Sequence, residues 1–482
     1  MTASEDTWTR PEPNQGQPPP DPRRWLALTV VLIASFMDLL DITIVNVALP
    51  SIQRDLHAGY PQLQWIVAGY ALAFAIVLIT GGRLGDIFGR KRLFLIGMAG
   101  FTAGSALCGT AVNPDMLIAS RFFQGAMAAL MIPQVLAIIH VTFPPQERGK
   151  VFGVYGGVAG SASVAGPILG GLLVQWNLAG WLWRPIFLVN IPVGLAGLVI
   201  AWFVVRDSRS PGVTRPDLPG AALATVAVGM LAYPLTEGHD LGWPAWTFAL
   251  MAGSVPVFAV FVWYQRARKN SPLVALGLFR LRSFAAGLGV ALLFWIAFGG
   301  FFITWMLYMQ AGLGWTPLHA GLTAVAFAVP TAAAAGASVQ FLTPRFGRKV
   351  LMTGALTASA GFGLYLYLSW RYGTGLHSWQ MIAPLAVTGI GFGLIVAPLI
   401  DLVLSGVPRR DAGSASGLLN TIQQLGVAFG IALLGTLFFD HLASSRGNFT
   451  GSFGLTLWFD VAAMVLVCGL MFALPRKVEA AW

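Results

Sequence analysis

The sequence predicts an all-α polytopic membrane protein with fourteen transmembrane helices, built as two pseudo-symmetric six-helix halves with a two-helix insert. Three observations predict it. First, 56% of the 482 residues are hydrophobic and only 10% are charged, with a mean hydropathy of +0.72, whereas about a quarter of a soluble domain is charged. Second, apolar windows occur at 25–49, 62–82, 93–113, 116–140, 150–174, 183–205, 218–236, 243–264, 284–311, 317–342, 350–370, 379–402, 412–437 and 452–474. Each is about the 20 residues that cross a hydrocarbon core of about 30 Å. Third, the chain repeats itself. "GRLGDIFGRKR" after helix 2 returns as "QFLTPRFGRKV" after helix 10, pairing Gly89-Arg90-Lys91 with Gly347-Arg348-Lys349 at an offset of 258. Gly149, Gly153, Gly166 and Gly171 of helix 5 return as Gly413, Gly417, Gly430 and Gly435 of helix 13 at an offset of 264. Corresponding helices therefore stand eight apart, which leaves helices 7 and 8 as the insert.

The expected division is a disordered tail (1–24), a first half (25–205), the insert with its loops (206–270), a second half (271–475) and a short tail (476–482). The first tail is polar and proline-rich, with little apolar surface to offset the entropy of ordering. The first apolar run is long and lacks a small-x-small cleavage site, so it reads as a retained helix. With both termini cytoplasmic, 24 of the 29 basic residues fall on tails and inner loops, and only Arg54, Arg184, Arg371 and Arg446 fall on outer loops or edges. That is the positive-inside pattern of a multi-pass protein of the cell membrane. The net charge of +10 thus reports topology, and no soluble basic face for nucleic acid is present.

The elements can be taken in order. Helix 1 contains "FMDLLDITIVNVALP" (36–50), with Asp38 and Asp41 three residues apart and so on one helix face. An ionised carboxylate at a bilayer centre costs on the order of 3 kcal/mol or more, so intramembrane acids mark function or a partner. The loop after helix 2 holds one acid, Asp86, among Arg83, Arg90, Lys91 and Arg92. It reads as a latch on the cytoplasmic side or as a solvated topogenic loop. Helix 4 carries Arg121, the one basic residue deep in a span, and Asp38 and Asp41 are its nearest candidate partners within the same half. One carboxylate can balance the guanidinium while the other changes proton occupancy; a static ion pair is the competing reading. Helix 5, "GVYGGVAGSASVAGPILGG", is a small-residue face with a kink at Pro167, suited to close helix packing. The second half repeats the scheme with Pro344 where Asp86 stands in the first. Its polar residues are less decisive: Gln310, Asn420, Gln423, Gln424, Asp401 and Asp460. Tryptophans such as Trp25, Trp183, Trp243 and Trp370 suit an interfacial belt.

From about residue 25 to 474 the chain resembles the major facilitator superfamily, specifically its fourteen-helix drug:proton antiporters. "LDITIVNVALP" (40–50) is similar to that family's helix 1 motif. "GRLGDIFGRK" (82–91) matches the loop motif at Gly82, Leu84, Asp86, Gly89, Arg90 and Lys91. "RFFQGAMAA" (121–129) resembles the helix 4 motif through Arg121, Gln124 and Gly125. The helix 5 antiporter motif is matched by Gly153, Gly166, Pro167, Gly170 and Gly171, with Ala162 where a glycine is usual. The resemblance implies the major facilitator fold and export by alternating access. It implies that Asp41 carries the exchanged proton beside Arg121, and it does not vouch for Asp38. It implies a cytoplasmic gate at Gly82, Asp86, Gly89, Arg90 and Lys91. Asn46, Gln124, Gln310, Gln423 and Gln424 are expected to line the cavity or the contact between halves.

Other classes fit less well. No nucleophile elbow, P-loop or His-rich helix occurs, so neither an enzyme nor an ATP-driven pump is expected. Cys108 and Cys468 have no metal-ligand spacing, so no disulfide framework or metal site is expected. The expected partners are protons, a small organic substrate and the bilayer, with no nucleic acid and no cofactor beyond the proton gradient, and the chain is expected to act as a monomer. An apolar, aromatic, weakly acidic cavity favours hydrophobic or cationic drugs and antibiotics, hence multidrug or antibiotic resistance by efflux. The alternative is a proton-coupled transporter of one endogenous metabolite. Arginine outnumbers lysine 24 to 5, a bias of GC-rich bacterial genomes.

Overall fold

The computed structural model describes residues 22–208, 217–238, 241–268, 274, 276–404, 407 and 412–474. Fourteen long helices occur among them: α1 Arg24–Leu56, α2 Tyr60–Phe88, α3 Arg90–Gly109, α4 Pro114–Thr142, α5 Pro145–Trp176, α6 Asn190–Val204, α7 Leu218–Glu237, α8 Ala245–Ala267, α9 Arg282–Leu307, α10 Pro317–Ala337, α11 Arg348–Tyr372, α12 Ser378–Leu404, α13 Ala412–Ser444 and α14 Phe449–Leu470. Thirteen have the length and apolar composition to cross a membrane. The remaining one, α5, is 32 residues long, and several of its side chains lie outside the described residues.

Local chemistry sets the helix ends. Asn113, Thr316 and Asn448 accept hydrogen bonds from the backbone N–H groups of Met116, His319 and Gly451 at the starts of α4, α10 and α14, satisfying donors that a helix leaves unpaired. A single residue separates α2 from α3, and a single residue separates a short helical turn, Thr343–Phe346, from α11. Those residues are Gly89 (φ 105°) and Gly347 (φ 53°), at backbone angles that residues with a Cβ rarely adopt. The repeat in the sequence is thus a repeat of a one-residue turn.

Packing follows the repeat. In the first half α1 packs on α5, α2 and α3 on α4, and α6 on α1 and α3; in the second, α9 packs on α13, α10 and α11 on α12, and α14 on α9 and α11. Every pair in the first set has its counterpart eight helices on. The halves meet through α2 against α13 and α5 against α10. Insert helix α7 packs on α8, α2 and α13, so it touches both halves from the periphery.

Two ends are distinguishable. The basic end carries Arg24, Arg90, Lys91, Arg345, Arg348 and Lys349; the far end carries the α1–α2, α3–α4 and α13–α14 turns. The halves are in close contact near the far end. Tyr60 stacks on Phe439 at 4.0 Å between ring centroids, and the Gln310 amide donates to the Val47 carbonyl at 2.8 Å. A Cβ on Gly171 would stand 2.6 Å from Leu318, and one on Gly321 2.2 Å from the Pro167 carbonyl oxygen. Towards the basic end of the same helices, a Cβ at Gly157, Gly160, Gly336 or Gly417 would meet no neighbouring element within 4 Å among the described residues.

Candidate functional site

The site is built on α1, where Asp38 and Asp41 lie one turn apart and point inward. Both are buried, as is Arg121 of α4. Arg121 Nη1 donates to Asp41 Oδ2 at 2.5 Å. Gln124, one turn along α4, donates through Nε2 to Asp41 Oδ1 at 2.9 Å and to Ser105 Oγ at 2.8 Å, while its Oε1 accepts from Arg121 Nη1 at 2.7 Å. Asn190, the first residue of α6, donates to Asp41 Oδ1 at 3.2 Å and to Ser105 Oγ at 3.1 Å. Asp41 therefore receives three donors from two helices. Arg121 Nε donates to the Ile66 carbonyl at 3.0 Å, and the guanidinium lies 4.2 Å from the Tyr70 ring centroid. Tyr70 turns its hydroxyl to Asp38 and donates to Oδ1. The two acids share one network, but on unequal terms: Asp41 is held by a charge and two amides, Asp38 by one phenol.

Charge counting gives the chemistry. Two carboxylates face one guanidinium in a site closed to water, where an unbalanced charge is costly. The network is neutral when one acid carries a proton. Release of that proton leaves an excess negative charge that favours an opening to water or a cationic group.

The other residues singled out in the sequence divide. Gly82 and Gly85 lie against Pro133 and Gln134 of α4, and Gly89 lies under the Asp207 carboxylate. The Arg90 N–H donates to the Ser208 carbonyl at 3.0 Å, and Lys91 Nζ to the Trp202 carbonyl at 2.5 Å. The residues expected to form a gate thus engage α4, the last turn of α6 and the chain just beyond it, within their own half. The Asp86 side chain and Gly153 lie outside the described residues. Gly166 and Gly170 let α5 approach Thr43 and Ile44 of α1, and Gly171 lets it approach α10. The helix 5 motif therefore serves one contact within the half and one between halves. Asn46 donates to the Ile42 carbonyl of its own helix at 3.1 Å. Gln310 bridges to α1 from a π-helical turn, Tyr308–Gly312. Gln423 and Gln424 are half-buried on α13. Asp460 is buried in α14, and neither of its oxygens has a hydrogen-bond partner among the described residues.

Sequence reasoning missed Tyr70, Ser105 and Asn190. A signal existed for Asn190, the lone amide of its apolar window, because polar side chains within spans pair across helices. Tyr70 carried none that set it apart from other aromatics. No cluster able to hold a metal ion occurs among the described residues.

This arrangement, two repeats of six helices with a buried acid–base network within the first, is that of a membrane transporter built from internal repeats. The pattern of the Major Facilitator Superfamily matches residues 31–431, and the chain belongs to that family. It is 43% identical over 437 residues to the probable actinorhodin transporter of Streptomyces coelicolor, covering 90% of this chain and 76% of that protein. It is 35% identical to the tetracenomycin C resistance and export protein of Streptomyces glaucescens (86% and 76% covered). It is 34% identical to the multidrug resistance protein Stp of Mycobacterium tuberculosis (86% and 75%). Among solved structures, the POT family transporter PepTSo superposes with a TM-score of 0.70 at 14% identity, over 94% of this chain and 98% of that one. That likeness is one of fold.

Proposed function

We propose that this protein is a secondary active transporter of the cell membrane, both termini cytoplasmic, that exports hydrophobic or cationic drugs or antibiotics in exchange for protons. The observation that carries the reading is the buried network of Asp38, Tyr70, Arg121 and Asp41: a proton-exchanging device with one cation for two acids, built on α1, α2 and α4 of the first half. The names of the relatives, which concern antibiotic export and resistance, support the substrate class. The 25–205, 206–270 and 271–475 division supplies the two rocking bodies and the insert, and a proton gradient supplies the energy. Half-buried Trp295, Phe298 and Phe302, spaced along one face of α9, are the aromatic surface offered to substrate.

The geometry favours Asp38 as the exchanging acid, reversing the order that family resemblance implies. Asp41 already has a full set of donors suited to an anion, whereas Asp38 has a phenol that accepts as readily as it donates. Drug-driven proton movement in proteoliposomes tests this. Asp38→Asn should abolish it with folding intact, because an amide exchanges no proton in this range. Full coupling in Asp38→Asn with loss in a folded Asp41→Asn returns the role to Asp41, and full coupling in both variants ends the reading.

A further inference from the structure

An elongated apolar cavity of about 580 Å³ lies between α1, α5 and α6, away from the seam between halves. Its wall on α1 runs from Thr29 to Ile44, about 22 Å at 1.5 Å per residue. The groove is thus long and apolar, a shape that suits an extended hydrocarbon chain. Only Thr29 and Asn190 line it with polar side chains apart from the Trp176 indole, and both are already engaged. Thr29 donates to the Trp25 carbonyl, and Asn190 to Asp41 and Ser105. The wall thus asks for a hydrocarbon. Leu169, Trp176, Val189 and Val193 are exposed along its rim, so it opens on the perimeter that faces lipid.

At the basic end the rim meets charge. Trp25 stands one turn before Thr29, and the Lys150 ammonium lies 5.5 Å over its ring. Arg24 beside it is paired with Glu147 at 3.0 Å, and exposed Lys150 offers a cation at the same end. We infer that this groove binds one acyl chain of an anionic phospholipid, with the phosphate at Lys150 and the chain running along α1 to Asn190. The chain end then packs on the amide that holds Asp41 Oδ1, so the lipid in this groove bears on the proton site through Asn190. The inference stands whichever acid exchanges the proton, and even if the transported substrate is another molecule.

The test is lipid binding to the purified full chain, read apart from transport. After delipidation in detergent, native mass spectrometry should show phosphatidylglycerol retained about fivefold better than phosphatidylcholine, the value of one lysine near a headgroup plane. Lys150→Gln should bring the ratio to about one, and glycerol phosphate alone should not displace the lipid. Phosphatidylglycerol with a photoreactive acyl chain should label Leu40, Leu172 or Leu173 in the unaltered protein, which needs no variant to fold. Leu172→Trp, which fills the groove, should remove that label. Equal retention of the two lipids, or labelling confined to other helices, overturns the inference.

Discussion

The two halves share one packing scheme and bury opposite chemistry in it. Between α1 and α4 lies the network of Asp38, Asp41, Arg121 and Gln124. Between their counterparts α9 and α12 lie rings: Phe294 and Phe298 sit 4.8 and 5.5 Å from Phe392, and Phe327, Phe362, Phe301 and Trp305 extend the cluster. The second half has one fully buried acid, Asp460, with no hydrogen bond among the described residues. A scaffold that repeats every eight helices therefore carries a charge-handling half and an aromatic half. Backbone packing needs only helices, turns and small residues at close approaches, so it tolerates this divergence at the side chains that face inward.

The sharpest way to break that contrast is to remove the buried cation of the first-half network, Arg121. Arg121→Met should cost about 3–5 kcal/mol, because Asp41 is left as a buried charge with no counter-charge. Thermal unfolding in detergent would show it. Adding Asp41→Leu should restore most of the loss while transport stays absent, since an apolar pair of similar volume often replaces a buried ion pair without penalty. If Arg121→Met unfolds like the parent, the network is not the electrostatic core of its half.

The aromatic half should respond differently. Phe298 is half-buried and stacks near Phe302 and Phe392, so Phe298→Ala should weaken drug binding by roughly tenfold, about the value of one aromatic contact. The number of protons moved per drug should stay the same, because no acid is touched. Equilibrium binding of a fluorescent drug, together with the proton-to-drug ratio in vesicles, separates these. A changed ratio with unchanged affinity would show that the halves do not divide the work this way.

A third prediction concerns what joins the halves. Insert helix α7 reaches both at the far end: the Trp65 indole of α2 donates to Glu237 at 2.7 Å, and the Thr436 hydroxyl of α13 donates to the Leu235 carbonyl at 2.9 Å. The Leu235 carbonyl lies in the last turn of its helix, where carbonyls take partners from outside the helix. Far-end opening separates α2 from α13 and must break one bond. Thr436→Val should then favour far-end opening by about 1 kcal/mol, roughly a fivefold shift in population. Spin-label distances between α2 and α13 would register it.

How much of this was readable in the sequence follows from the physics of each contact. The partnership of Arg121 with an acid of helix 1 was legible, since a guanidinium in a span must find a carboxylate. The one-residue turns at Gly89 and Gly347 were legible as a repeated "FGRK". The roles of Asn190 and Tyr70 depend on the rotation of α6 and α2 about their axes, which packing decides and hydropathy does not. Gln310 was legible as a polar residue near the seam; its partner, the Val47 carbonyl, was not, because a π-helical turn sets its direction. The aromatic cluster was hidden among rings that equally suit an interfacial belt.

The smallest effect on transport belongs to the insert's basic end, where neither half takes part. Asp217 caps α7 by accepting from the Gly220 N–H at 3.0 Å, and ties it to α8 through Gln265 at 2.7 Å and Arg268 at 3.1 Å. Burial pushes this carboxyl up, but the bonds from Gln265 and Gly220, the Arg268 charge and the Tyr264 hydroxyl together hold it below the usual carboxylate range. A carboxyl depressed in the folded state contributes stability that is fully present above its unfolded value, about 3.9, and is lost as pH falls through the lower folded value. Acid should therefore loosen α7 from α8 only below about pH 4. Asp217→Asn keeps a capping acceptor for the Gly220 N–H but loses the pair with Arg268 and the acceptor used by Gln265, so at neutral pH it should cost about 1 kcal/mol, the value of one hydrogen bond. Hydrogen exchange at the start of α7, followed against pH, should show the acid step in the parent and a much smaller one in the variant. An equal step in both would place the acid-sensitive group elsewhere. Transport by the variant at neutral pH should match the parent, because the acids of the first half and the rings of the second are untouched.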